Sequence, residues 1–198
     1  MEYREAKSAV EAMVFASPRP ITAKEIGEIL GIDPRSAHVI LDDLRREYDR
    51  EGRGMQVVYV AGGYQMATRP EHAVYIARLS VGARQRLSRA ALETLAMIAY
   101  RQPVTKAEVE RIRGVKVDGV LATLIERGLV RPAGRKKAAG RPILYGTTRE
   151  FLRWFGLASL DDLPPLEGES AVLPGLDLRS SRQSAQSQRN TAYHARGK

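Results

Sequence analysis

A short pattern occurs twice in this chain, and it constrains the fold more than any other feature of the sequence. The two copies, 83 residues apart, are Pro20-Ile21-Thr22, Glu25, Gly31 and Pro103-Val104-Thr105, Glu108, Gly114. In each copy a glutamate follows a threonine by three positions, which is the pattern of a capping box at the start of a helix. A glycine after such a helix adopts the left-handed backbone that ends it. The repeat therefore predicts two copies of one helical unit.

The elements around the second copy have a distinctive order. From Leu87 to Tyr145, the spacing of apolar residues predicts a helix, a tight turn, a short helix, a turn, a third helix, a strand, a basic loop and a second strand. This order is a helix-turn-helix followed by a two-stranded wing. The same order is predicted upstream, where three helices precede a glycine-turn hairpin over residues 55–68. We therefore predict a mainly α fold with small β-hairpin wings, of the α+β class, built as two tandem winged-helix domains.

Composition divides the chain into four parts. We predict an N-terminal winged-helix domain at residues 1–80, a short linker at 81–87 and a C-terminal winged-helix domain at 88–166. From Leu178 onward the residues are mostly Ser, Gln, Arg, Asn and Gly, with almost nothing to bury. Residues 167–198 are therefore predicted to be a disordered tail.

The same reasoning gives several local assignments. Two further pairs are predicted to cap helices, Thr68 with Glu71 and Thr147 with Glu150. On the helix from Ala90 to Tyr100, the predicted core residues are Leu92, Leu95, Ala96 and Ala99. For the helix from Asp118 to Arg127 and the residue before it, the predicted core residues are Val117, Val120, Leu121, Leu124 and Ile125. The predicted aromatic contacts of the last helix with the wing are made by Phe151, Trp154 and Phe155.

Charge is distributed unevenly along the chain, whose net charge is +9. Residues 1–80 hold 11 Lys and Arg against 12 Asp and Glu, whereas residues 81–166 hold 16 against 8. Such asymmetry indicates an acidic partner, either nucleic acid or an acidic protein surface. No apolar run approaches the length of a membrane span, the N-terminus does not resemble a secretory signal, and there is no cysteine. We expect a cytoplasmic protein that does not contact membranes.

Catalytic patterns are poorly represented. The three histidines, His38, His72 and His194, have no carboxylate pair or metal-ligand spacing around them. The segment from Gly134 to Arg141 resembles a phosphate-binding loop only superficially, because its glycines are separated by five residues and no Lys-Ser or Lys-Thr follows. We predict that the chain is not an enzyme and uses no cofactor or metal.

DNA binding and protein binding are the two competing interpretations of the second unit. The recognition helix of a winged-helix protein reads bases through Arg, Lys, Asn or Gln. Here the outward residues of that helix are Asp118, Gly119, Ala122, Thr123 and Glu126. Sequence-specific readout is therefore disfavoured. Non-specific phosphate contact through the wing residues Arg135, Lys136, Lys137 and Arg141 stays open beside the alternative that this loop is simply solvated.

Protein contact agrees better with the small and apolar residues of this unit. Met97 and Ile98 extend the apolar surface around their helix, so that helix needs a second neighbour, which is either a partner or another part of the chain. Gly119, Ala122 and Thr123 form a small-residue surface that a partner helix could approach closely. The candidate partner-binding residues are Met97, Ile98, Gly119, Ala122, Thr123, Leu144 and Tyr145.

The residues from Glu11 to Leu166 resemble a known family. The segment LSRAALETLAMIAYRQPVTKAEVERIRGV, followed by ERGLV, GRPILYGTT, FLRWFGL and SLDDLPPL, is similar to bacterial segregation and condensation protein B. The resemblance is strongest from Leu87 onward, and residues 167–198 lie outside it.

This resemblance implies a non-enzymatic subunit of the SMC–kleisin condensin complex, which acts in chromosome condensation and segregation in association with the nucleoid. It implies two tandem winged-helix domains, with homodimerisation largely through the first. It also implies binding to the kleisin subunit, segregation and condensation protein A, through the second. The kleisin bridges the SMC ATPase, to which ATP hydrolysis belongs.

Overall fold

The computed structural model describes residues 2–79 and 87–165 of the chain. Residues 1–162 belong to one compact unit, and residues 163–198 belong to a second. Of the second unit, only residues 163–165 are described, and they contain no helix or strand. Most of the predicted linker and the whole predicted tail lie outside the described residues.

The elements of the described chain follow the predicted order. The helices are α1 (Tyr3–Ala16), α2 (Ala23–Leu30), α3 (Pro34–Arg50), α4 (Ala73–Arg78), α5 (Arg89–Arg101), α6 (Lys106–Arg113), α7 (Asp118–Glu126) and α8 (Arg149–Phe155). The strands are β1 (Met55–Val60), β2 (Gly63–Thr68), β3 (Val104–Thr105), β4 (Val130–Arg135) and β5 (Ile143–Thr147). Short 3-10 turns cover Pro70–His72 and Leu160–Asp162. The predicted α+β class, mostly helical with small antiparallel sheets, is confirmed.

Both copies of the repeated capping box are present with nearly the same geometry. The Glu25 amide donates to Thr22 Oγ1 at 3.2 Å, and the Thr22 amide donates to a Glu25 carboxylate oxygen at 2.8 Å. The equivalent distances between Thr105 and Glu108 are 3.3 and 2.8 Å. Each helix ends at the glycine of its repeat, where φ is 66° in the first copy and 68° in the second.

The repeat continues into the β-structure. Strands β1 and β2 form an antiparallel hairpin, and Ile21 forms an isolated antiparallel bridge with Tyr64 of β2. In the second half β4 and β5 form the hairpin, and β3 pairs antiparallel with β5, so that Val104 lies opposite Tyr145. Ile21 and Val104 are equivalent residues of the two copies, so each unit joins the start of its second helix to its hairpin in the same way.

Each half buries its own set of apolar side chains. The N-terminal core contains Ala6, Val10, Val14, Ile21, Ile26, Ala37, Ile40, Leu41, Leu44, Tyr48, Val57 and Tyr64. The buried apolar residues of the C-terminal half include Ala91, Leu95, Ile98, Ala99, Val104, Val109, Val117, Leu121, Leu124, Leu129, Val130, Phe151 and Phe155. Among the described residues, every buried side-chain nitrogen or oxygen has a hydrogen-bond partner.

Two of the predicted caps are wrong. Thr68 and Glu71 do not form a capping box, because the chain enters a 3-10 turn at Pro70 without a side-chain cap. Thr147 does not cap α8, because it is the last residue of β5 and its side chain is bonded to Gln102. The adjacent Thr148 takes the role instead, accepting from the Phe151 amide at 3.2 Å.

Some predicted core positions are also wrong. Ile98 is buried whereas Leu92 and Ala96 are only partly buried, so the buried stripe of α5 is rotated relative to the predicted one. Ile125, predicted to be a core residue, is exposed, and so is Trp154, which is predicted to contact the wing. In each case the helix has apolar residues on more than one side, and the tertiary neighbours determine which side is buried.

Candidate partner-binding surfaces

Arg113 fixes α6 against α5. Its guanidinium donates to the Ala90 carbonyl at 2.8 Å, to Thr94 Oγ1 at 2.6 Å and to the Glu93 carboxylate at 2.7 Å. The side chain is only 11% exposed, so these charge-assisted bonds form in a site largely shielded from water. Residue Arg113 therefore sets the position of α6 and of the turn that leads to α7.

Gln102 joins the end of α5 to β5. Its Nε2 group donates to Thr147 Oγ1 at 2.9 Å and to the Ala99 carbonyl at 3.0 Å. Its Oε1 atom accepts from the Thr147 amide at 2.7 Å. A Cβ added at Gly146, beside Thr147, would lie 2.9 Å from Gln102 Oε1, so a larger residue there would require the Gln102 side chain to shift. This clamp holds β5, and with it the wing hairpin, against α5.

Two ion pairs join the start of α6 to its neighbours. Lys106 pairs with Asp118 at the start of α7, and its hydrogen bond lowers the pKa of the Asp118 carboxyl. Lys136 of the hairpin lies 2.5 Å from Glu108, and this contact, together with the capping bonds to Thr105, lowers the pKa of Glu108 to about 2. The carboxylates therefore stay ionised and paired at neutral pH.

The outward surface of α7 is small and polar rather than basic. Asp118, Gly119 and Ala122 are exposed, and Thr123 is partly buried. The Thr123 hydroxyl donates to the Gly119 carbonyl at 2.9 Å, and an added Cβ on Gly119 would meet no atom within 4 Å. This part of the candidate surface is therefore open to an approaching partner.

The other candidate partner-binding residues are distributed differently. Met97 is partly buried, as are Leu144 and Tyr145, which are consecutive residues of β5 and so point to opposite faces of the sheet. Ile98 is buried in the core, which agrees with the alternative that another part of the chain covers it. The structure brings Gly119, Ala122 and Thr123 together on α7 and leaves Ile98 unavailable to a partner.

The wing candidates Arg135, Lys136, Lys137 and Arg141 are all exposed. They lie together on the β4–β5 hairpin, as the sequence predicted. Lys136 is engaged with Glu108, and Arg135 donates to the Arg141 carbonyl at 3.1 Å.

Two acidic residues of α3, Asp42 and Asp43, make contacts within the chain. Asp43 accepts from the Tyr3 hydroxyl at 2.9 Å and from Lys7 at 2.7 Å, which joins α1 to α3. Asp42 lies within hydrogen-bond distance of the Tyr64 hydroxyl, and burial is the main cause that raises the pKa of Tyr64 to about 12. Both carboxylates on α3 are therefore hydrogen-bonded to other residues of the chain.

Helix α4 was missed as a candidate surface. None of its residues is buried, and the apolar side chains of Val74, Tyr75, Ile76 and the following Leu79 are all exposed. An apolar helix with no buried residue indicates an interaction surface. Sequence periodicity could have shown the apolar residues but not that no other part of the described chain covers them.

Within residues 2–79 and 87–165, no group of three or more His, Cys, Asp or Glu side chains is arranged to hold a metal ion. Over the same residues, no helix is both long and apolar enough to cross a membrane.

The fold defines a class of protein: an α+β protein of two similar halves, each made of three helices and an antiparallel hairpin, with exposed helix faces and an exposed basic hairpin. The family model for segregation and condensation complex subunit ScpB matches residues 8–166. Segregation and condensation protein B of Symbiobacterium thermophilum is 53% identical over 176 residues, which are 89% of this chain and 80% of that protein. The protein of the same name from Moorella thermoacetica is 54% identical over 165 residues, 83% of this chain and 85% of that protein. The chain belongs to the ScpB family of segregation and condensation complex subunits, which confirms the resemblance found in its sequence.

A solved structure is also similar to part of the chain. It is described as a dimer of the ScpB N-terminal domain complexed with a ScpA peptide, and it is 32% identical to this chain. The match covers 38% of this chain and 95% of that one, with a TM-score of 0.37.

Proposed function

We propose that this chain is a non-enzymatic architectural subunit of the bacterial SMC–kleisin complex, acting in the cytoplasm at the nucleoid in chromosome condensation and segregation. It binds the kleisin subunit and, through it, the SMC ATPase. Family membership supports this role. Each half is a winged helix, consistent with the repeated order of three helices and a hairpin.

The observation that most favours a protein partner over DNA readout is the outward surface of α7. A base-reading helix needs long donor side chains that reach into the major groove. Here Gly119 and Ala122 are exposed and leave open space, and Asp118 is bonded to Lys106. Such a surface allows the backbone of a partner helix to approach closely, so we assign kleisin binding to the outward surface of α7.

We further propose that the chain forms a homodimer through its N-terminal half, with α4 in the contact. Dimers of identical subunits commonly use the same surface on both copies. A second α4 would cover Val74, Tyr75 and Leu79, whose apolar side chains are exposed in one chain.

Co-purification with the cognate kleisin tests the first proposal. Ala122→Trp fills the open surface of α7, whereas Ala12→Trp makes the same change at an exposed position of α1. We expect wild type and Ala12→Trp to retain the kleisin at equal stoichiometry and Ala122→Trp to lose it, with all three showing the same circular dichroism spectrum. Failure of wild type to retain the kleisin would refute kleisin binding, and equal retention by Ala122→Trp would refute the assignment to α7.

A further inference from the structure

The β4–β5 hairpin has an unusual concentration of positive charge. Residues 131–141 contain five cations and no acid, and every residue of this segment is exposed. The cations are Arg131, Arg135, Lys136, Lys137 and Arg141. The proposed kleisin surface on α7 does not use them, so they require another explanation.

Most of this charge is not compensated by the protein. Lys136 pairs with Glu108. Within the described residues, Arg131, Lys137 and Arg141 form no ion pair, and the Arg135 guanidinium donates to a backbone carbonyl rather than to a carboxylate. Four cations therefore remain available to an external anion.

The carboxylates at the base of the hairpin do not oppose an anion. Glu108 and Asp118 are the acids at the starts of α6 and α7, and each is bonded to a lysine. Because each pair is neutral overall, a phosphate that approaches the hairpin meets the unpaired cations rather than free carboxylates.

The hairpin tip is held in one conformation by its own backbone. The Lys136 amide donates to the Pro142 carbonyl at 2.9 Å, and the Arg141 amide donates to the Ala138 carbonyl at 2.9 Å. Arg141 has a φ of 41°, in the left-handed region that glycine adopts more easily than arginine. An ordered tip lowers the conformational entropy that binding has to remove.

We propose that this hairpin is a sequence-independent binding site for the phosphate backbone of double-stranded DNA. The four residue steps from Arg131 to Arg135 of the extended strand β4 span about 13 Å. A DNA strand has one phosphate per roughly 3.4 Å of helix axis, so the hairpin faces about four phosphates of one strand. Guanidinium groups bind phosphate in a bidentate geometry, which suits the three arginines.

The chemistry of the hairpin favours DNA over an acidic peptide. Its uncharged residues Pro132, Ala133, Ala138 and Ala139 are exposed and small, so they form no pocket that would accept peptide side chains. The site would place the complex subunit on DNA without any base contact from α7. The proposed DNA binding goes beyond kleisin binding and does not depend on kleisin binding.

The test is fluorescence anisotropy of a short mixed-sequence duplex with the full chain over a range of salt concentrations. Four phosphate contacts at one hairpin predict a slope of about −3.6 for the logarithm of the binding constant against the logarithm of salt. Between 50 and 200 mM salt, this slope corresponds to a loss of roughly 150-fold in affinity. The triple variant Arg135→Ala, Lys137→Ala, Arg141→Gly should flatten the slope by about 2.7.

The matched control is Arg4→Ala, Arg35→Ala, Arg50→Ala, which removes three exposed cations from helices of the N-terminal half. We expect its slope to equal that of wild type. Arg141→Gly alone relieves the left-handed arginine, so it should reduce the slope by about 0.9 without lowering the thermal midpoint.

Three results would overturn the proposal: no DNA binding by wild type, an unchanged slope in the triple variant, or an equal effect of the control. Binding of poly-glutamate without binding of the duplex would also overturn it, because the hairpin would then be a protein-binding surface.

Discussion

Replacing Val74 and Leu79 by alanine should separate the proposed homodimer into folded monomers. Both residues lie on or beside α4, and they are 60% and 68% exposed in one chain. Because neither contributes to the buried core, the substitutions should leave the free energy of unfolding of the monomer nearly unchanged. Their cost should appear only where a second copy covers them.

The size of the effect follows from the exposed fractions. Val→Ala removes two methyl or methylene groups and Leu→Ala removes three, at about 0.8 kcal/mol for each such group when buried. Scaled by the exposed fractions, the losses are about 1.0 kcal/mol at Val74 and about 1.6 kcal/mol at Leu79. A twofold interface contains each residue twice, so the double variant loses about 5 kcal/mol of association free energy. The dimer dissociation constant should rise by between three and four orders of magnitude, or roughly 4,000-fold.

Analytical ultracentrifugation at micromolar concentration measures this change, with circular dichroism as the check on folding. The chain offers a matched control in Ile29→Ala with Val39→Ala, which removes the same number of carbon groups. Ile29 and Val39 are 66% and 60% exposed on α2 and α3. We expect the control to sediment as a dimer.

Three outcomes would refute the reasoning about α4. Wild type could sediment as a monomer, which removes the dimer itself. The α4 variant could remain dimeric, which places the contact elsewhere. The control could dissociate as strongly as the α4 variant, which would show that exposed apolar area in general, and not α4, determines association.

Two further predictions concern the interactions that hold the fold. Arg113→Ala should lower the free energy of unfolding by about 2 to 3 kcal/mol in chemical denaturation, because it removes shielded charge-assisted bonds. The side chain of Arg89 is 66% exposed and pairs with the same Glu93. Arg89→Ala should therefore cost only about 0.3 to 0.5 kcal/mol. Equal losses in the two variants would contradict the argument from burial. The second prediction concerns pH. The side-chain hydrogen bond from Arg19 is the largest cause that lowers the pKa of Glu25, and the one from Lys136 has the same effect on Glu108, so each pKa is about 2. A lowered folded pKa gives stability that is present above the ordinary value near 4.5 and is lost as pH falls toward 2. The double variant Glu25→Gln, Glu108→Gln should therefore be less stable than wild type at pH 7. It should also lose less stability than wild type between pH 4.5 and 2, as measured by acid titration followed by circular dichroism. A titration curve identical to that of wild type would contradict this assignment.

Local patterns in the sequence predicted much of the fold correctly. Thr22 with Glu25 and Thr105 with Glu108 form the predicted caps, because a capping box depends on residues within one helical turn. Thr147 failed as a cap for a non-local reason: its hydroxyl is bonded to Gln102, 45 residues earlier in the chain. The neighbouring Thr148 was equally suitable, and only the sheet register determined which of the two ends the strand.

The candidate site could be predicted only in part. The basic hairpin and the small residues of α7 are contiguous in sequence, so composition alone located them. Ile98 is buried although it is not part of the core stripe predicted for α5. The reason is that α5 has apolar residues around most of its circumference, so a helical period predicts a stripe without fixing its direction. Helix α4 was missed for the opposite reason, because its apolar residues are typical of a core and the part of the chain that the structure describes does not bury them.

The sequence by itself determined the repeated unit, its caps and its glycine ends, because these depend on hydrogen bonds and backbone conformations within a few residues. It also determined the charge of the hairpin and the absence of base-reading side chains on α7. Only the tertiary structure decided which side of α5 is buried, that Arg113 fixes α6 to α5, and that residues 2–79 and 87–165 leave α4 exposed. Those features depend on contacts between residues far apart in sequence, and the local spacing of side chains contains no information about which distant surface will meet them.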